Sequence, residues 1–249
     1  MSASAGGRAA WRRVRAMVLK EWLELRRNRM VLSVIVFVPL LMVAIPVAML
    51  AVMSRVGVSQ GDVDEMAALM DNPAFAGMPP AEAMQAAMAG SFLVLFLMMP
   101  LVVPVTIAAY SIVGEKVARS LEPLLATPIG TAELLLAKGL ASAIPGVVTA
   151  WIAYIAFLGA SRLATTSDRV WSTFVHPMWL VAMFVLAPLC TVLAVNVGVI
   201  VSSRTNDPRV AEQLGGLLVL PLMALFIGPM AGVVQLSPTV FWITSALVL

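Results

Sequence analysis

Residues 114–139 read GEKVARSLEPLLATPIGTAELLLAKG, and this stretch carries Glu115, Lys116, Arg119, Glu122, Glu133 and Lys138. The runs on either side, Ser91–Val113 and Leu140–Ala160, contain no charge at all. Uncharged runs of this length suit a bilayer core, which needs roughly 20 apolar residues in a helix. A loop that merely joins two such spans needs a handful of residues, and this one is far longer. Glu115 and Arg119 lie four apart on one helical face and can pair, and Val113, Val117, Leu121 and Leu124 form an apolar stripe. Pro123 and the Thr127-Pro128 step end that helix. Thr131 can cap a second helix with Glu133 in its first turn, favourably placed on the dipole. Two amphipathic helices about a proline elbow make a rigid knob suited to meeting a soluble partner.

The rest of the chain fits this membrane setting. It has 249 residues, 61% hydrophobic and 12% charged, with mean hydropathy +0.98; soluble domains carry about 25% charged residues. The composition specifies an all-α polytopic membrane bundle in one domain. The single Cys190 cannot form an internal disulfide and reads as a small core residue. No cleavable signal peptide is expected, because the basic N-terminus is long and the first apolar run can span.

In chain order, residues 1–10 are small and polar and are expected to be disordered, with one transmembrane domain covering 11–249. Over Trp11–Arg29, the residues Trp11, Val14, Val18, Trp22 and Leu25 recur at helical spacing, while Arg12, Arg13, Arg15, Lys20, Arg26, Arg27 and Arg29 fill much of the remainder. Such a helix suits the headgroup layer, with Trp11 and Trp22 in the interface and Arg26, Arg27 and Arg29 near anionic lipid phosphates. Because it runs straight into a span, it reads as an interfacial elbow and not as a nucleic-acid-binding helix. Spans are expected at about 30–53, 91–113, 140–160, 178–201 and 214–236. A partial sixth at 239–249 is too short to cross, so the chain is expected to continue beyond it. Prolines 39, 46, 100, 104 and 145 fall in or near these spans, where a bundle tolerates kinks. Residues 54–90 form a polar, acidic loop in which Asp62–Met70 and Pro80–Ala89 read as short helices; Asp62, Asp64 and Glu65 lack calcium-loop spacing.

With the N-terminus in the cytoplasm, thirteen Lys/Arg lie in inner segments and three (Arg55, Arg162, Arg169) in outer ones, as the positive-inside rule requires. The expected location is therefore the cell membrane, multi-pass, N-terminus inside. The expected spans contain no Asp, Glu, Lys or Arg at membrane depth, and Lys138 at the inner end of the third is expected to snorkel. That weakens an ion-coupled carrier, whose coupling groups normally sit in the membrane. Asn196 is expected to form an interhelical hydrogen bond, with pore lining as the alternative. The one histidine, His176, cannot make an HExxH site, and neither a GxSxG elbow nor a GxxxxGK[ST] phosphate loop is present. Nothing in the chain looks catalytic, and a pump built on it needs its motor on another chain.

The run EKVARSLEPLLATPIGTAELLLAKG resembles the signature of type-two permeases of ATP-binding-cassette exporters. The matching residues are Glu115-Lys116, Leu121-Glu122-Pro123-Leu124-Leu125, Thr127-Pro128, Glu133-Leu134 and Lys138-Gly139, the last pair reversed from the commoner Gly-Lys. The elbow (LKEWLELRRNR), the large outer loop and Ser202-Ser203-Arg204 extend the likeness over nearly the whole chain. The resemblance implies a six-helix half-transporter that pairs with a second permease copy or a paralogue. It also implies separate ATPase subunits, carrying ATP and Mg, docked on the 114–139 segment. Glu115, Lys116, Arg119 and Glu122 would contact the ATPase or hold the segment in shape, with Leu121, Leu124 and Leu125 packing it. No cofactor is expected on this chain. The competing readings are a non-transport scaffold or sensor subunit and, less well supported, a secondary carrier.

Overall fold

The computed structural model describes residues 3–56, 75, 77–120, 129–165, 167–211 and 213–217. Every regular element among them is helical, including α1 (Ala3–Leu25), α2 (Arg29–Val56), α3 (Pro80–Phe96), α4 (Met99–Val117), α5 (Thr131–Ala164), α6 (Asp168–Phe174), α7 (Pro177–Val181), a π-helical segment Ala182–Leu186 and α8 (Ala187–Arg204). Four helical runs among the described residues are long and apolar enough to cross a membrane: Arg29–Arg55, Pro80–Val117, Thr131–Ala164 and Asp168–Arg204. Residues 218–249, with the rest of the expected fifth span and the partial sixth, lie outside the described residues, as do Asp62–Met70 and its acidic cluster.

Several boundaries differ from the sequence reading. The elbow begins at Ala3, so residues expected to be disordered are helical; alanines at 3, 5, 9 and 10 favour that state. Pro80–Ala89 is no separate surface helix. It opens α3, because Ala83, Ala86, Ala89 and Leu93 form one buried face that continues past Gly90. The break comes at Leu97–Met98, where each N–H reaches back only three residues, to Val94 and Leu95. Pro100 follows; its ring opposes the carbonyl four residues earlier. Pro39, Pro46, Pro104 and Pro145 stay inside continuous helices.

α4 is the central helix, buried on nearly every side, and it packs most extensively on α8 and α5. Its neighbours present glycines to it. A Cβ on Gly146 would lie 2.5 Å from Pro104 Cγ, and one on Gly198 would lie 2.9 Å from Ala108 Cβ. Close backbone approach of this kind is how membrane helices associate where apolar burial supplies no drive.

Far from the elbow, Phe96, Tyr154, Phe157 and Phe174 stack in one buried cluster, and Tyr154 donates its hydroxyl to the Phe174 carbonyl at 2.8 Å. The π segment lies nearby, and Pro188 explains it. Ala187 N–H bonds the Ala182 carbonyl, leaving Pro188, which has no N–H, opposite the Met183 carbonyl. The indole N–H of Trp151 fills that vacancy at 2.8 Å.

Candidate functional site

The elbow meets α5 through apolar side chains, Val14, Met17 and Val18 against Leu134, Ala137 and Ala141. The indole of Trp22 is half-buried there and donates to the Ala141 carbonyl at 3.2 Å. Trp11, Arg26, Arg27 and Arg29 are exposed. Asn28 ends the intervening turn by accepting the N–H groups of Met30 and Val31 with its side-chain oxygen, which caps α2.

At the edge of this apolar contact lies a closed ring of charge. Glu21, Glu115 and Lys138 are 2%, 6% and 4% exposed. Lys138 Nζ donates to Glu21 Oε1 at 2.9 Å and to Ser111 Oγ at 2.8 Å. Ser111 Oγ in turn donates to Glu21 Oε2 at 2.5 Å. Lys138 also stands 2.9 Å from Glu115 Oε2, a charge contact lying off the hydrogen-bond direction. The other oxygen, Oε1, accepts from Lys20 Nζ at 2.9 Å. Two carboxylates and two ammonium groups balance, which is the condition for keeping such groups buried. Burial alone would lower the Lys20 pKa, but its hydrogen bond to Glu115 and the neighbouring carboxylates outweigh that and raise it.

Three expectations are corrected here. Lys138 does not snorkel; two carboxylates hold it inside. Glu115 turns inward to Lys20 and Lys138 and does not pair with Arg119. Arg119 is exposed and adopts φ 52°, the left-handed conformation that turns the chain immediately after α4. The first helix of the 114–139 segment therefore stops at Val117, well before Pro123, and the stripe through Val113 and Val117 splits into one buried and one exposed residue. Leu121, Glu122, Leu124 and Leu125 lie outside the described residues.

Two further ties fasten the segment. The Nζ of Lys116 donates to the carbonyls of Ser202, Ser203 and Thr205 at 2.8, 2.6 and 3.1 Å. A cation thus closes the C-terminus of α8, where the dipole is negative. Gly130, and not Thr131, is the N-cap of α5. Its N–H is accepted by Glu133 at 3.4 Å. The same carboxylate takes two hydrogen bonds from the Arg13 guanidinium, one from Nε at 2.8 Å. That fork holds Glu133 below the ordinary carboxylate range and raises Arg13.

Sequence reading missed Glu21 and Ser111. The signal for Glu21 was available: with Val14, Val18 and Leu25 it falls on the inward face at helical spacing, so an acid occupies a core position. Asn196 is also corrected. Its amide donates to the Val192 carbonyl of its own helix at 3.0 Å, on an exposed face, and not to a neighbouring helix among the described residues. Among those residues, no group of three or more His, Cys, Asp or Glu could hold a metal.

Among the described residues, the buried charged side chains of this apolar helical bundle, Glu21, Glu115 and Lys138, all lie where the elbow meets α4 and α5. The sequence profile of the ABC-2 family transporter proteins matches residues 15–241, and the chain belongs to that family of ABC-transporter permeases. No curated protein and no solved structure matches it.

Proposed function

We propose that this chain is the membrane subunit of an ATP-driven exporter, oriented with its N-terminus in the cytoplasm and moved by a separate ATPase that binds ATP and Mg. The observation that carries this reading is the ring of Glu21, Glu115 and Lys138, which ties α1, α4 and α5 together where the charged 114–139 segment emerges. Apolar contacts are non-directional and would let helices slide; charged contacts between three helices set their register. A push on the segment would then move elbow and spans as one body. Lys116 extends that tie to α8. The charges neutralise one another at the inner end, which suits mechanical transmission better than ion coupling. Among the described residues the middles of the crossing helices carry no charge, which suits a hydrophobic or amphipathic cargo, and a second copy or a paralogue would complete the path.

Co-purification with the candidate ATPase tests the reading. Arg119→Glu with Glu122→Lys reverses two charges of the segment, Arg119 being exposed in the turn after α4, and the outcome expected is loss of the ATPase from a folded permease. Glu115 is unsuitable for this test because reversing a buried charge would unfold its surroundings. Binding that survives the double reversal would sink docking at 114–139. A wild-type permease that retains no ATPase would favour a scaffold or sensor subunit.

A further inference from the structure

Glu82 is the only charged residue of α3. Helical geometry puts it within about 40° of Ala86, Ala89, Leu93 and Phe96, which form the buried stripe of that helix. The side chain is half-buried, and its Oε2 is buried with no hydrogen-bond partner. Glu21 holds the same kind of inward position on α1, but there Lys138 and Ser111 satisfy it. A glutamate at the third position of a helix normally reaches back to the N–H of the capping residue. Here the cap is Pro79 and Pro80 follows, and neither has an N–H to give.

The chain places no cation on this carboxylate. All sixteen Lys and Arg and the one His lie among the described residues, and none of them pairs with Glu82. Arg169 of α6 donates instead to the Gly77 carbonyl at 3.1 Å, just before α3 begins. Arg162 is held by Asp168 at 2.8 Å and lies over the Trp171 ring. Arg55, at the end of α2, is exposed. A carboxylate oxygen kept from water and left unpaired is costly, so the partner that fits it comes from outside the chain.

The surroundings suit an ammonium group better than a metal ion. Calcium, for instance, takes about six oxygens or more, and among the described residues no group of three or more His, Cys, Asp or Glu could hold a metal. An ammonium needs one carboxylate for a strong charge-assisted hydrogen bond. Gln85 follows at i+3 on the adjoining helix surface, half-buried, and can add an amide oxygen. Phe75, Ala83 and Ala86 share one apolar cluster, with Met78 packed against it, which offers a surface to a hydrocarbon body.

We propose that Glu82 binds the ammonium group of an amine-bearing amphipathic molecule, at the end of the bundle far from the elbow. That this molecule is the exported cargo rests on the function proposed above; the binding site does not.

The test uses the purified full chain in a neutral maltoside detergent. Monodansylcadaverine, a fluorescent primary amine, is titrated beside its N-acetylated form, which keeps the apolar body and loses the charge. Wild type should bind the amine about tenfold more tightly than the acetylated form or better, and Glu82→Gln should abolish that preference. Glu82→Asp keeps the charge on a shorter arm and should retain part of it. Glu82→Gln should melt no lower than wild type, because it removes an unpaired charge and keeps the shape, so a lost preference is not a lost fold. Equal binding of both probes by wild type would overturn the proposal, as would a preference that survives Glu82→Gln. Displacement of the amine by calcium chloride, but not by sodium chloride at equal ionic strength, would also overturn it and assign the carboxylate to a metal ion. Binding that depends on Glu82 in a permease that retains no ATPase would uphold the site and sink only its link to export.

Discussion

The Lys138 ammonium lies 2.9 Å from Glu21 Oε1 although the residues are 117 positions apart, and with Glu115 it forms a buried junction between elbow, central helix and third crossing helix. Removing the one buried cation leaves two carboxylates facing each other. Lys138→Met should therefore destabilise the permease by about 3–5 kcal/mol. Thermal unfolding followed by size-exclusion chromatography checks this. Adding Glu21→Gln should recover most of the loss, because Lys20 still serves Glu115. If Lys138→Met melts like wild type, the junction has no energetic role.

The Arg13–Glu133 fork should respond to acid. The pKa of Glu133 is depressed below its ordinary 4.5, so its contribution is present above that value and is lost as pH falls through the lower folded-state value. Arg13 is raised further above its ordinary value by the same carboxylate and stays charged throughout. Exchange protection over residues 9–20, taken relative to the intrinsic amide rate at each pH, should hold steady around neutrality and fall only in acid. Glu133→Gln should remove that acid response; a response that persists in the variant belongs to another group.

Lys116 satisfies three carbonyls at the end of α8. Lys116→Met should fray residues 201–205, with local exchange protection falling by about 1–2 kcal/mol while the rest of the bundle is unchanged. Protection that drops evenly throughout would mean that Lys116 supports the whole fold and not this terminus.

Gly146 admits the Pro104 ring. Gly146→Ala puts a methyl group against a ring that cannot rotate away, and should lower stability by about 1–3 kcal/mol. On the same helix, a Cβ added at Gly159 would meet nothing within 4 Å, so Gly159→Ala should be neutral or slightly stabilising. Equal melting of the two variants would contradict the close approach of α4 and α5.

Trp151 supplies the only donor seen for the Met183 carbonyl among the described residues. Trp151→Phe keeps the ring but leaves that carbonyl buried and unpaired, at a cost of about 1–3 kcal/mol. Pairing Trp151→Phe with Pro188→Ala restores a backbone N–H and should recover part of it. A double variant no better than the single one would count against the proline as the origin of the π segment.

Much of this protein was legible from residues alone. Long uncharged runs can satisfy their backbone groups in lipid only as helices, so the all-α bundle and four of its crossings followed from hydropathy. The elbow followed from arginines and apolar residues at helical spacing. Local pattern failed where a side chain's partner lies far along the chain. At the level of one helix, Glu115 has Arg119 four residues away, and Lys138 has an aqueous surface within reach of its long stem. Only the packing of α1 against α4 and α5 brings Lys20, Glu21, Glu115 and Lys138 into one buried ring, where the attraction between opposite charges exceeds what a surface pair four residues apart could give. Periodicity determined which faces turn inward; tertiary contact decided which charges turn inward with them.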